Sequence, residues 1–527
     1  MIAVFNAAVA VADVAAVLDV DEDDVSTWLD ILHGQQLVSW TSDGDHIPKA
    51  RLIHDVVGEV IRKQMAPEHR SSMHGRICTA VVERHGERAA PLVGNLVYHA
   101  HEAGRTDLVV RLAPPAVRRA LARYANREAV SILEMAIPAV DGLASTQANA
   151  ETGVAFRLQA MMPLLVLGQV QRMAELLDQA QSRLAEFPNP ALLGAVRIHQ
   201  ATIEWMRGQY DRASQAAADA LTIAGQQDNV RLELAAKHSL ATIEHAYGKY
   251  DATCALSEQI VSAFDGELRL KRLGWVGLPS VFARTYLGSA LTNLGEFQRA
   301  ATVLQEGLEI AELSEQPYSQ VFVAEELAFM KLWMGESRQA EALLTQALER
   351  TERHAIHNMH APVSGRLAIA LAMNGRADAA IDVATKALTQ RTYERAARYG
   401  HHFLLHGLAF AQASAGRHED ARATAQQLVS ALAELGESGH LAWAWLLLSA
   451  CAETAGDQQA AVDNARNAAK LAAQCGMLPT LGLARVIEQR CSRTGTALSS
   501  IATAEGDVCC PEFDREPMML NPIVPVG

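Results

Sequence analysis

The chain is 527 residues long, half of them apolar but only 5% aromatic, with a formal net charge of −14. That balance excludes an intrinsically disordered chain, which lacks apolar content, and a general nucleic-acid binder, whose phosphate affinity comes from clustered Lys and Arg. Seven cysteines, an odd number with no CxxC pair, exclude a disulfide scaffold and fit a reducing cytoplasm.

Residues 1–20, MIAVFNAAVAVADVAAVLDV, imitate a signal peptide. No Lys or Arg occurs before Lys49, however, and Asp13 and Asp19 interrupt the apolar run. A bilayer span needs about 18–20 apolar residues, and no later segment supplies them. The expectation is a soluble, cytoplasmic protein without membrane contact. Residues 22–65 then read as helix, turn, short strand pair and helix, with LDILHGQQLVSW in the form of a recognition-type helix running into a wing. The surrounding charge is acidic (Asp13, Asp19, Asp21, Glu22, Asp23, Asp24, Asp30) and would repel phosphate. Direct DNA binding is therefore not expected of this unit, and a spacer or docking role is.

Three stretches follow: His54-Asp55, then HRSSMHGRICTAVVERHG over 69–86, then YHAHEAGRTDLVV from residue 98. On these residues the chain resembles the middle of large ATP-dependent LuxR-type regulators of the signal-transduction NTPase group, the group of the maltose-operon activator. The resemblance implies a winged-helix unit, a histidine-containing helix, a helical spacer and then a long helical repeat domain. Leu52-Ile53 stands where that family has a phenylalanine-led pair, and Met73-His74 where it has Leu-His. No GxxxxGK[ST] phosphate loop occurs, since Gly248-Lys249 is followed by Tyr250, and the family's C-terminal helix-turn-helix has no counterpart. The expected organisation is a winged-helix-like unit over 1–66, a helical spacer over 67–148, a repeat superhelix over 149–484, and a helix end with a disordered tail over 485–527.

The repeat is carried by a glycine series: Gly168, Gly208, Gly248, Gly295, Gly335, Gly375, Gly416 and Gly456, spaced 40, 40, 47, 40, 40, 41 and 40 residues apart. Five residues after the glycine stands alanine at Ala213, Ala300, Ala340, Ala380, Ala421 and Ala461. Seven before it is a small residue (Ala201, Ala241, Gly288, Ala328, Ala368, Ala409, Ser449), and eight before it is leucine in six cases, Leu240 to Leu448. Small residues let two antiparallel helices approach, leucine fills the space between them, and glycine makes the turn. Residues 286–310, YLGSALTNLGEFQRAATVLQEGLEI, resemble a tetratricopeptide repeat with a period of 40 in place of the usual ~34. The fold class is all-α: a tetratricopeptide-like right-handed solenoid of about eight repeats. The interval of 47 places an irregular insertion at 264–280, either neutral or reaching over one face.

Candidate chemistry is sparse. No Ser/His/Asp, Cys/His or paired-carboxylate set stands out. His354, His357 and His360, and separately His402 and His406, have helical spacing. They read as histidine-rich surface rather than as metal ligands, so no metal, cofactor or catalytic residue is assigned. The inward face of the first helix of each repeat is more informative. Counted from the turn glycine it takes positions −13, −10, −6, −3 and −2. Over the repeats from Gly208 to Gly456, eight of these positions are Phe or Trp, against about two expected at 5% aromatic content: Trp205, Phe282, Phe322, Phe329, Trp333, Phe403, Phe410 and Trp443. His238, Thr242, His245, Thr285, Ser289, Thr292, Asn293, Glu325 and His406 lie between them. Rings with interspersed hydrogen-bonding groups suit a groove for a peptide or small ligand, and equally the packing between repeats. The expected function is a non-catalytic sensor or scaffold module of a bacterial transcriptional regulator. It would bind a protein or peptide partner, or a small-molecule inducer, on the concave face. A free-standing scaffold for protein–protein interaction is the alternative.

Overall fold

Each glycine of the forty-residue series ends a helix in the left-handed region. The eight have φ between 70° and 90°, a conformation that side chains with a Cβ resist. The computed structural model describes residues 1–5, 7–42, 48–86, 93–272, 274–389 and 399–494. Of the helix end and disordered tail expected over 485–527, residues 495–527 lie outside the described residues. Contacts divide the chain into two compact units, residues 1–163 with 179–189 and residues 164–178 with 190–527.

In the first unit, helix Glu22–Gly34 leads into strands Val38–Ser42 and Pro48–Leu52, and helix Asp55–Gln64 follows. The two strands pair antiparallel, Trp40 opposite Ala50, and a two-residue strand, Val9–Ala10, adds to the other edge. Asp21 caps the Glu22–Gly34 helix by accepting from the Asp23 amide, and three carboxylates in its first turn complement the helix dipole. Five helices, Pro67–His85 to Gln147–Val166, come next. Within them His74 and His99 are buried with their Nδ1 atoms 2.7 Å apart.

The second unit is the repeat array. From residue 190 it runs as helical pairs Pro190–Met206 and Tyr210–Gln226, Val230–Ala246 and Tyr250–Ala263, Pro279–Leu294 and Phe297–Leu313, Pro317–Trp333 and Ser337–Arg353, His357–Met373 and Ala377–Thr389, His401–Ser414 and His418–Leu435, Ser438–Thr454 and Gln458–Gln474. A last helix, Leu478–Thr494, follows. The six alanines five residues past the turn are completely buried, as are Ala328, Ala368 and Ala409 on the facing helices. The helices approach closely because these positions are small: a Cβ on Gly288 would sit 2.3 Å from Leu304, and one on Gly407 would sit 2.3 Å from the carbonyl oxygen of Gly365. The insertion forms a 3-10 turn, Gly266–Leu270, and then folds back. The Trp275 ring packs at a tilt against His238, centroids 4.7 Å apart, and the Gln316 side chain donates to the Val276 carbonyl.

The array also closes on itself. The Tyr210 hydroxyl donates to Glu437, Gly439 lies against Tyr250, and Pro479 lies against Gly295. The early repeats thus touch the late ones, and the inner faces of several repeats turn toward one enclosed recess.

Candidate ligand-binding site

The recess is partly open, and the space in it that water-sized groups can occupy is about 40 Å³. Six of the seven pairs line it, all but His357–Met373 with Ala377–Thr389, and residues three or four apart on a helix share a face. Trp205 comes from Pro190–Met206, Tyr210 from the helix after it, and Thr242, His245 and Ala246 from Val230–Ala246. Thr285, Tyr286 and Ser289 come from Pro279–Leu294, and Phe322, Glu325 and Glu326 from Pro317–Trp333. Tyr399, His402, Phe403, Glu437 and His440 complete the wall.

Two features shape its electrostatics. The first is a buried ion cluster. Arg366 lies 2.8 Å from Glu325 and 2.9 Å from Glu326, with its guanidinium over the Phe329 ring at 4.0 Å. Burial pushes the Glu325 carboxyl up to about 8, against the pull of Arg366 and with the charge of Glu326 adding to the rise. Of the two carboxyls, Glu325 is thus the one held toward its protonated form. The second feature is a set of neutral imidazoles. Burial lowers His245 to about 4, and His402 and His440 to about 3. His245 Nε2 sits 2.9 Å from Ser289 Oγ. His440 Nδ1 is 2.5 Å from Glu437, whose other oxygen accepts from Tyr210. Neither ring nitrogen of His402 has a hydrogen-bond partner among the described residues. Aromatic planes flank these groups: Trp205 and Tyr399 have centroids 4.5 Å apart, and Phe403 lies 4.2 Å from His402.

Of the residues expected on the inner face, Trp205, His245, Thr285, Phe322, Glu325 and Phe403 line the recess, with Thr242 and Ser289. The other nine pack elsewhere, Thr292 and Asn293 being buried. His238 sits among Trp275, Phe282 and Tyr286, and Phe282 is buried against Phe322 at 4.9 Å. Phe329 and Trp333 are buried against one another, and Trp443 packs between Phe329 and His406. Phe410 is a fully buried core residue. Neighbouring repeats cover most of these rings, and Phe329 with Trp443 joins repeats that are not neighbours. Tyr210, Tyr286, Glu326, Tyr399, His402, Glu437 and His440 were not in the candidate set. Tyr286 and Glu326 adjoin Thr285 and Glu325, so a wider inward arc would have found them. Tyr210 starts a second helix, and Glu437 and His440 lie too early in the Ser438–Thr454 segment for the −13 to −2 register to reach. His402, spaced one turn from His406, meets instead two residues of the following helical pair. Among the described residues, His354, His357 and His360 form no such group.

The chain is a predominantly helical, tetratricopeptide-like repeat protein with one small three-stranded sheet. No family model matches it, and no curated protein matches it. Solved structures are similar in fold. One is a Rap protein complexed with competence and sporulation factor, at 13% identity over 73% of this chain and 98% of that chain, TM-score 0.47. Another is NprR in complex with its cognate peptide NprX, at 12% identity over 67% of this chain and 98% of that one, TM-score 0.45. A third is a signal-transduction ATPase with numerous domains and a tetratricopeptide repeat sensor from Pyrococcus horikoshii, at 11% identity over 92% of this chain, TM-score 0.42. This chain spans 64% of that protein's length. Among the described residues, no helix is long and apolar enough to cross a membrane.

Proposed function

We propose that the array is the sensor module of a LuxR-type transcriptional regulator, and that it binds a short peptide segment or a small-molecule inducer without converting it. The observation that carries this reading is the recess. Six aromatic side chains (Trp205, Tyr210, Tyr286, Phe322, Tyr399, Phe403) share its wall with the carboxyl groups of Glu325, Glu326 and Glu437. Apolar planes supply burial, and a few fixed polar groups supply orientation, as ligand sites require. Early and late repeats both contribute to the wall, so a ligand that touches both favours the closed form over an opened one, which is the differential contact a sensor needs. The acidic first 48 residues support a spacer or docking role rather than DNA contact.

The test is a thermal-shift screen of the full chain against peptides, sugars, nucleotides and amino acids. A ligand that binds only the folded form raises the unfolding midpoint. The rise is expected to vanish in Trp205→Ala and Phe403→Ala while helicity persists. A stoichiometric protein partner recovered with no small-molecule or peptide effect on melting would support the free-standing scaffold instead.

A further inference from the structure

The wall of the recess contains a three-residue group with an unusual polar balance. His402, Glu437 and His440 each offer a ligand atom, and these atoms lie within 4.8 Å of one another. His402 Nε2 is 3.8 Å and His440 Nδ1 is 2.5 Å from Glu437 Oε2. Two ligands on one tetrahedral ion, each about 2.0–2.1 Å from it, sit roughly 3.4 Å apart. The observed separations bracket that value, so side-chain adjustments of under about 1 Å bring the three into a common shell.

The group is incomplete as it stands. His402 is buried with both ring nitrogens unpartnered among the described residues, and an unpaired buried polar group is costly. Glu437 is equally buried, yet its partners are a tyrosine hydroxyl and a neutral imidazole. A buried carboxylate normally has a cation beside it. Arg366 does not serve, because it is engaged with Glu325 and Glu326. One positive ion with affinity for imidazole answers both deficits, supplying charge to Glu437 and a lone-pair acceptor to His402. Tyr210, donating to the far oxygen of Glu437, orients the carboxylate from behind.

We infer that His402, Glu437 and His440 bind one divalent transition-metal ion at the wall of the recess. Two imidazoles and one carboxylate favour zinc, cobalt, nickel, copper or iron over magnesium or calcium. All three residues border the recess. The inference does not depend on which ligand the recess takes, and it is read without one.

The experiment uses the full chain, stripped with a chelator and titrated with zinc chloride by calorimetry, with cobalt(II) as a visible-absorption probe. One ion per chain is expected, together with ligand-field bands and a raised melting midpoint. His402→Ala and His440→Ala should each weaken zinc by at least about 100-fold, more than loss of an outer-shell partner. Glu437→Gln keeps the hydrogen-bonding shape and removes the charge, so it should fold and still lose zinc to a similar degree. The double variant His354→Ala with His357→Ala should bind as the parent does. Absence of saturable zinc binding at micromolar ion would overturn the inference, as would unchanged affinity in a folded Glu437→Gln protein, or stoichiometric binding lost only with His354 and His357.

Discussion

Tyr210 and Glu437 are 227 residues apart in sequence and share a buried hydrogen bond. The tyrosine opens the second helix of an early pair, and the carboxylate stands just before the first helix of a late one. Through this contact an array whose helices mostly pack on sequence neighbours acquires a fixed opening.

Removing the hydroxyl tests the closure. Tyr210→Phe leaves one oxygen of a buried carboxylate without its donor and should cost about 1–3 kcal/mol. Urea unfolding followed by circular dichroism checks the value. A change within a few tenths of a kcal/mol would mean that the contact contributes nothing to holding the ends together.

Helix spacing gives a second prediction. A Cβ on Gly407 would meet the backbone of Gly365 at 2.3 Å, and one on Gly365 would meet the Phe403 carbonyl at the same distance. Backbone cannot rotate out of the way, so Gly407→Ala should destabilise by about 1–3 kcal/mol or more, as overpacking does. Gly482 lies inside the Leu478–Thr494 helix with nothing near its Cβ position. Gly482→Ala should therefore stabilise by up to about 1 kcal/mol through helix propensity. Paired melting curves decide the contrast.

Burial separates the aromatic side chains into two classes. Phe329→Ala and Phe410→Ala truncate rings in the core and should cost about 3–5 kcal/mol. Trp205→Ala and Phe403→Ala act on half-buried rings at the recess, so stability should fall less and ligand-induced stabilisation more. Equal losses of stability in all four variants would remove the distinction between core and binding wall.

Six histidines of the array, three buried and three half-buried, make stability depend on acid. Burial lowers His199, His238 and His245 to about 4, and His402, His406 and His440 to about 3, from an ordinary 6.5. As pH falls below 6.5 the unfolded chain binds protons that the folded chain refuses, so stability present above 6.5 is lost down toward 4 and 3. Each histidine contributes a slope of at most about 1.4 kcal/mol per pH unit. Glu325 acts in the opposite sense. Its folded value of about 8 exceeds the ordinary 4.5, so its contribution is present below 4.5 and fades as pH rises toward 8. Denaturation midpoints between pH 5 and 9 should show both effects: His406→Gln flattens the acid limb, and Glu325→Gln gains on the parent above pH 8.

Much of this architecture is legible in the amino-acid order, and the reasons are local. A turn glycine, a buried alanine five residues later and a small residue seven earlier all serve one helix–helix contact, so a period of forty exposes them. The inner face was legible in part: Trp205, His245, Phe322 and Phe403 reach the recess at the register expected. Trp333 and Phe410 obey the same spacing and are core, because register on one helix does not reveal which other helix covers it. The positions of Tyr210 and Glu437 carry no periodic mark, since a contact across 227 residues depends on the summed rotation of every repeat between them. Trp275 shows the same limit at the insertion, where no repeat supplies a register.

Closure has a consequence for how the protein comes apart. An open solenoid behaves as a row of nearest-neighbour couplings, so it can fray from either end while its middle stays folded. Here the early and late repeats are joined, and fraying one end must also break the contacts made by the other. Denaturation of the array is therefore expected to be a single cooperative transition. A shortened array ending before Glu437 should instead melt in a broad, sloping manner, with most of its helices intact but its all-or-none character gone.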